Sequence, residues 1–279
     1  MKKRLSKTPI GAPLKWAGGK SQVLAKLEKY SPYRGKAKRL IEPFVGSGVV
    51  FANFEFDEYL LGDSNPDLIA VYKALKENPN SFIKDSEAMF RPENNTKANY
   101  LNVRLRFNQS TCDYERALLF LWMNRHGYQG LCRYSKKSGF NVPFGYYKKP
   151  YFPKDEMLHF SNKLQRAELV VGSFEECINQ ANEFDVVYSD PPYFPLSLTS
   201  NFTEYSGTSF TTEDQIRLVE YSMAAKSRGA LCIISNHKTN ESLKVYSEAS
   251  KIQGIRVSRQ INSKKATRKN APELIAIYE

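Results

Sequence analysis

The stretch Val186-Val187-Tyr188-Ser189-Asp190-Pro191-Pro192-Tyr193 holds the residues whose order points most directly to chemistry. Three apolar residues run into a carboxylate, two prolines and an aromatic ring. Pro191 and Pro192 have no amide hydrogen and cannot continue a helix or a central strand. The pattern therefore predicts a buried strand that ends at Asp190 in a rigid turn. Open α/β sheets bind their ligands at the carboxyl ends of strands. There the Asp190 carboxylate and the Pro191 carbonyl can accept both hydrogens of one planar amino group, while Tyr193 offers a face to its ring. An exocyclic base amine is a poor nucleophile, because its lone pair is delocalised into the ring. Two acceptors on its hydrogens pull the nitrogen towards tetrahedral geometry and release that lone pair. A proline turn after a core strand is the plainer alternative, and the rest of the chain has to decide between them.

Two glycine-bearing turns precede this stretch. Leu14-Lys15-Trp16-Ala17-Gly18-Gly19-Lys20-Ser21 opens into a helical pattern through Val23, Leu24 and Leu27. Glycines ahead of a helix let backbone amides approach an anion, and Lys20 and Trp16 would suit a carboxylate and a flat ring. A phosphate loop is the rival reading, but its spacing is missing. Further on, Leu40-Ile41-Glu42-Pro43-Phe44-Val45-Gly46-Ser47-Gly48 predicts an apolar strand, a tight turn and then a helix. Gly46 and Gly48 would let backbone touch a bound nucleoside derivative. Tyr59–Asp63 reads as a second strand ending in an acid, the position that holds ribose hydroxyls in nucleotide-binding sheets. The third glycine of the dinucleotide fingerprint is absent, which argues against NAD.

The alternation of strand and helix then stops. Asn65-Pro66 breaks it, and residues 66–125 carry helical periodicity, clearest at Tyr114, Ala117, Leu118, Leu121 and Trp122. Two short aromatic runs, Gly127–Tyr134 and Phe140–Lys149, flank a Lys-Lys-Ser-Gly turn and predict a basic β-hairpin. Its sequence shows almost no alternation that would fix it on a core. A two-stranded ribbon fits the DNA major groove, where Arg133 could pair bidentately with guanine. Tyr128 or Tyr147 could fill space in the base stack. After Pro153 the alternation resumes with Glu156–Arg166, Leu169–Val171, Ser173–Asn179 and Asp185–Ser189. A long Ser/Thr/Asn loop follows over 194–210, then a helix over 212–228 capped by Thr211 or Thr212. Strands follow at 230–236, 255–261 and 273–278. The segments divide the chain into a catalytic unit, 1–64 with 151–279, and a target-recognition insert, 65–150.

Charge agrees with that division. The formal net charge is +12, and residues 91–150 hold eleven Lys or Arg against Glu93, Asp113 and Glu115. Residues 41–90 run the other way, with nine acids against three lysines. A field so segregated, interleaved with aromatic and amide residues, suits a polyanion. Residues 251–270 add seven Lys or Arg and no acid, including Lys264, Lys265, Arg268 and Lys269, a second candidate for phosphate contact. The four cysteines stand singly, without zinc-ligand spacing, and read as free thiols of a reducing compartment. His126, His159 and His237 are scattered and fit packing or polar surface. No apolar run is long enough to span a bilayer, and the basic start lacks the apolar core of a signal peptide. These features predict a cytoplasmic protein.

Together the blocks resemble the Dam family of DNA adenine N6-methyltransferases. The matching residues are LKWAGGK (Leu14–Lys20), EPFVGSG (Glu42–Gly48), Asp63, NRHGYQGLCRY (Asn124–Tyr134), NVPFG (Asn141–Gly145), YKKPYFP (Tyr147–Pro153), SDPPY (Ser189–Tyr193), SNFT (Ser200–Thr203) and ISNH (Ile234–His237). Their order is that of the family's α group. The resemblance implies an α/β, Rossmann-like, S-adenosylmethionine-dependent methyltransferase sheet with an inserted helical, hairpin-bearing DNA-recognition domain. It implies double-stranded DNA as partner, GATC as target, S-adenosylhomocysteine as product, no metal, and action as a monomer. Carried over residue by residue, Trp16, Lys20, Glu42, Phe44, Gly46, Gly48, Asp63 and Asp190 match donor-binding positions. Asp190, Pro191 and Tyr193 match the site of the flipped adenine. Lys15, Tyr128, Gln129, Leu131, Arg133, Pro143, Tyr147 and Lys148 match DNA-contacting positions. Two residues depart from the best-known members: Gln129 replaces Asn, and Tyr146 replaces Arg. Rival readings are N6-methylation of structured RNA, N4-methylation of cytosine, methylation of a protein glutamine amide, and a noncatalytic DNA-binding regulator.

Overall fold

Short, nearly continuous apolar strands must be covered on both faces, which is the condition of a parallel sheet between helical layers. The computed structural model describes residues 9–16, Leu24, Leu27, 37–195, 210–257 and 271–279. Lys20, Asn201-Phe202-Thr203 and the basic residues Lys264, Lys265, Arg268 and Lys269 lie outside them. A seven-stranded sheet forms the centre. In chain order its strands are β1 (Arg39–Glu42), β2 (Glu58–Asp63), β5 (Ala167–Val171), β6 (Asp185–Ser189), β7 (Leu231–His237), β8 (Lys251–Val257) and β9 (Ala271–Tyr278). Across the sheet the order is β5-β2-β1-β6-β7-β9-β8, parallel up to β7 and antiparallel beyond it. From β1 the chain winds outward to β2 and β5, then returns to β6 on the other side. That reversal places a crevice between the carboxyl ends of β1 and β6.

Alternate side chains divide between the two faces. Leu40, Tyr59, Leu61, Val186, Tyr188, Leu231 and Ile233 join one core, while Ile41, Leu60, Val187, Cys232 and Ile234 join the other. The first core is covered by α1 (Val49–Asn53), α2 (Pro66–Glu77), α3 (Pro79–Met89), α4 (Lys97–Gln109), α5 (Asp113–His126) and α6 (Lys154–Leu164). The second lies beneath α7 (Phe174–Ile178) and α8 (Thr212–Ser227), with Tyr246 following the short α9 (Asn240–Val245). The break expected at Asn65-Pro66 is a helix start. The Asn65 side chain accepts from the Asp67 and Leu68 amides, and Pro66 takes the first helical position. Thr211 is the cap of α8, in a capping box with Asp214.

The basic hairpin is shorter and better anchored than its sequence predicts. The paired strands β3 (Tyr134–Ser135) and β4 (Gly139–Phe140) are two residues each, with one further antiparallel bridge between Gly127 and Phe144. The expectation that it lacks alternation is corrected: Phe140, Val142 and Phe144 are all buried, while Pro143 between the last two is exposed. Phe140 packs edge-on against Phe107 and Phe120, and the Phe144 ring lies tilted against Tyr100. Backbone bonds across the hairpin run from the Asn141 amide to the Arg133 carbonyl and from the Tyr128 amide to the Pro143 carbonyl, and side chains of α4 add further hydrogen bonds. Tyr100 and Arg104 both donate to the Val142 carbonyl at 3.1 Å, and Asn108 accepts from the Phe140 amide at 2.9 Å. At the hairpin's base the Tyr134 hydroxyl donates to buried Asp67 at 2.6 Å, beside an Arg116–Asp67 ion pair at 2.7 Å. Tyr134→Phe removes a hydrogen bond to a charged partner. It is expected to cost about 1.5–3 kcal/mol in urea unfolding; a change under about 0.5 kcal/mol would show that the bond adds nothing beyond the ion pair.

Candidate active site

The turn after β1 is folded by its glycines. The Val45 amide donates to the Gly62 carbonyl, and the Gly48 amide to the Val45 carbonyl, both at 2.8 Å. Gly46 and Gly48 have φ of 47° and 69°, in the left-handed region. A Cβ on Gly46 would stand 2.9 Å from the Trp16 indole, and one on Gly48 2.9 Å from the Phe160 ring. From α2 the Tyr72 hydroxyl donates to the Gly46 carbonyl at 2.6 Å. Asp63, closing β2, accepts from the Gly46 amide at 3.1 Å and the Asn65 amide at 2.9 Å. Burial pushes its carboxyl up to about 6, against the pull of those two amides. Trp16, Gly46 and Asp63 thus form one connected group. Gly48→Ala combines a left-handed backbone with a blocked Cβ and is expected to destabilise by about 2–3 kcal/mol in chemical unfolding. A loss below about 0.5 kcal/mol would show that the turn readily reshapes.

At the crevice itself, Glu42 ends β1 at 2% exposure, and its Oε1 is buried with no hydrogen-bond partner. Burial pushes Glu42 up to about 8, with the neighbouring Asp190 charge adding to the rise and the Phe51 amide and Lys163 opposing it. Across the switch point Asp190 follows β6, and Ser235 on β7 donates to its Oδ1 at 2.7 Å. The Tyr188 hydroxyl lies 3.1 Å from the same Ser235 oxygen. Tyr193 is half-buried and meets the His237 ring edge-on at 4.7 Å, and burial holds its phenol well above the usual range. Pro191 is buried and Pro192 exposed. Phe44 turns to the other core, stacked on Phe174 at 5.6 Å with Phe210 at its edge.

Several of the residues expected to face DNA contact one another. Lys15 Nζ lies 3.9 Å from the centre of the Tyr147 ring, and the Tyr147 hydroxyl accepts from the Gln129 amide at 2.9 Å. The Tyr128 amide donates to the Pro143 carbonyl at 2.8 Å, and the Gln129 side chain to the Tyr128 hydroxyl at 3.3 Å. Arg133 is exposed, its Nε donating to Asn141 Oδ1 at 2.7 Å. Leu131 is half-buried, and Pro143 and Lys148 are exposed. Gln129 has φ of 54°, a conformation that Asn adopts more readily.

Sequence reasoning missed the residues that hold these surfaces in place. Asn124 bonds both the amide and the carbonyl of Lys15, at 2.7 and 2.8 Å, and buried Arg125 donates to the Ala12 and Pro13 carbonyls. Both belong to the matched block Asn124–Tyr134, but a polar helix end gives no sign of its long-range partner. His126 stacks on Trp122 at 3.9 Å, and His159 bonds the Ala52 carbonyl.

The strand order, the crevice at its reversal and the acid-bearing turns on either side are those of a Rossmann-like methyltransferase sheet. Comparison with known proteins sharpens this. The chain belongs to the D12 class of N6 adenine-specific DNA methyltransferases, whose family profile matches residues 16–267. It is 46% identical over 266 residues to a DNA adenine methylase of Vibrio cholerae, covering 95% of each chain. A DNA adenine methylase of Escherichia coli K12 is 44% identical over 95% of this chain and 94% of its own. One of Haemophilus influenzae is 40% identical over 100% and 96%. The enzyme is therefore an adenine-specific DNA methyltransferase. Among the described residues, no helix is long and apolar enough to cross a membrane.

Proposed function

We propose that the enzyme takes its methyl group from S-adenosylmethionine and delivers it to N6 of an adenine flipped out of double-stranded DNA, within GATC. The observation that carries this reading is Asp190, anchored by Ser235 at the sheet's switch point with Glu42 beside it. The residues fit the donor: a buried Glu42 oxygen lacks a partner, and Asp63 stands at the end of β2 beside the glycine turn. When bound, the donor supplies an electrophilic methyl on a sulfonium. Trp16, Glu42, Phe44, Gly46, Gly48, Asp63 and Asp190 would hold it, together with Lys20. Asp190 and the Pro191 carbonyl would accept the two N6 hydrogens, and Tyr193 would stack on the base. Orientation supplies most of the gain, up to about 7–11 kcal/mol. Extruding the adenine costs a few kcal/mol, and exposed Tyr128 would take its place in the stack.

Lys15, Gln129, Leu131, Pro143, Tyr147 and Lys148 would grip and read the duplex around Arg133. The Asn141 bonds orient the Arg133 fork without exhausting its five donors. We place 65–150 as the recognition unit and 1–64 with 151–279 as the catalytic one, acting in the cytoplasm as a monomer. Incubation with labelled donor and oligonucleotides differing only within GATC, followed by digestion to nucleosides, tests the reaction. Label in N6-methyladenine from GATC alone supports it; equal label in altered sites removes the target assignment. Arg133→Ala is expected to lose about 1–3 kcal/mol of discrimination against near-cognate sites. A uniform loss of affinity over all sequences would instead make Arg133 a phosphate contact.

A further inference from the structure

The turn that carries Asp190 has few backbone hydrogens of its own, because two of its residues are prolines. What fixes its shape comes from outside. The Gln215 side chain, on α8, donates to the Pro192 carbonyl at 2.8 Å. Asn236, on β7, accepts from the Phe194 amide at 3.0 Å, and His237 Nδ1 lies 2.6 Å from the Phe194 carbonyl. Gln215 and Asn236 are themselves tied together. The Asn236 amide donates to Gln215 Oε1 and to the Tyr246 hydroxyl, and that hydroxyl donates to Gln215 Oε1 at 2.6 Å. All three side chains are buried. They lie on the sheet face opposite Ser235, since neighbouring strand residues point to opposite sides. The turn is thus gripped on both faces: Ser235 holds Asp190 from one, and the Gln215–Asn236–Tyr246 triad holds Pro192 and Phe194 from the other. A buried polar cluster of this kind specifies one geometry, because any rearrangement strands a donor or an acceptor.

We infer that Gln215 is a positioning residue for methyl transfer, acting through its bond to the Pro192 carbonyl to aim the Pro191 carbonyl and Tyr193 at the adenine. The inference rests on the proposed role of the Asp190–Tyr193 turn. Gln215→Glu tests it: the substitution is isosteric, keeps Oε1 as acceptor for Tyr246 and Asn236, and loses the donor to Pro192. Single-turnover methylation at pH 8 is expected to fall about 100-fold, as a misplacement near 1 Å does. Dissociation constants for donor and for GATC duplex should stay within about twofold of the parent's. Lowering the pH protonates the new carboxyl, which can then donate to Pro192, so the deficit relative to the parent should shrink towards pH 6. A rate within threefold of the parent at every pH, or matching losses of rate and of both affinities with no recovery at low pH, overturns the inference. If Gln215→Glu does not fold, Gln215→Met is read in the same way without the pH series. Rate loss with affinities kept supports the inference, and parallel losses overturn it. A parent chain that binds donor and duplex yet methylates no adenine overturns the reading of the turn, and this inference with it.

Discussion

Asp190→Ala lowers the single-turnover methylation rate at least about 1,000-fold and leaves DNA affinity within a few-fold of the parent. The expectation follows from how narrowly the carboxylate is placed. Ser235 fixes Oδ1 at 2.7 Å, so the group is oriented before any substrate arrives. A preorganised polar group at the reacting atom is worth about 10²–10³ in rate. Here its loss also removes the anion that the amine's developing positive charge would meet. Asp190→Asn provides the sharper version. It retains an acceptor for Ser235, so the turn keeps its anchor, but its amide hydrogens now point where the adenine's should go. Both variants should bind duplex normally, since they leave in place Lys15, Tyr147 and Arg133, the residues proposed to grip DNA. An alanine variant within tenfold of the parent would sink the site assignment.

The second large effect is on stability and depends on pH. Glu42 ordinarily titrates near 4.5 and is pushed up to about 8 in the folded chain, chiefly by burial. Between those values the folded state binds a proton that the unfolded state has released, so stability falls as pH rises through the window. Below about 4.5 its ionisation costs nothing; above about 8 that cost is complete. At about 1.4 kcal/mol for each pH unit of the gap, the penalty reaches about 4–5 kcal/mol. Glu42→Gln should therefore match the parent near pH 4.5 and exceed its unfolding free energy by several kcal/mol at pH 9. Urea titrations of both chains at four pH values across this window check it. Parallel pH dependences would place the Glu42 carboxyl back near its ordinary value.

The same carboxyl belongs to the proposed donor site. Burial, with the Asp190 charge adding to it against the pull of the Phe51 amide and Lys163, holds the Glu42 carboxyl up near 8. A positively charged donor in that space would favour the ionised form, so donor binding should release a proton in neutral buffer.

Much of this architecture was legible in the chain. Asp190-Pro191-Pro192-Tyr193 announced a strand end because prolines forbid any continuation, and Gly46 and Gly48 announced a turn because only glycine takes their φ without cost. Asp63 was legible as the acid that ends the second strand. The hairpin was visible as a basic aromatic segment, but its burial was not. The alternation Phe140, Val142, Phe144 was overlooked, and their docking on α4 through side-chain-to-carbonyl bonds depends on long-range partners that no local pattern names. Gln215 and Tyr246 were also invisible, and Asn236 was seen only as part of the matched Ile234–His237 block, since each is an ordinary polar residue until the fold brings α8, β7 and the segment after α9 together. Part of the positive charge carries structural duties: Arg116 pairs with Asp67, and Arg125 is spent on carbonyls of the amino-terminal arm.

The tie between Asn124, Arg125 and residues 12–15 has a practical consequence for protein engineering. Grafting the proposed recognition unit, residues 65–150, of one relative onto the rest of another looks like a two-cut operation. Such chimaeras would inherit a mismatched latch unless the donor's own arm, Ala12 to Lys15, travels with its helix.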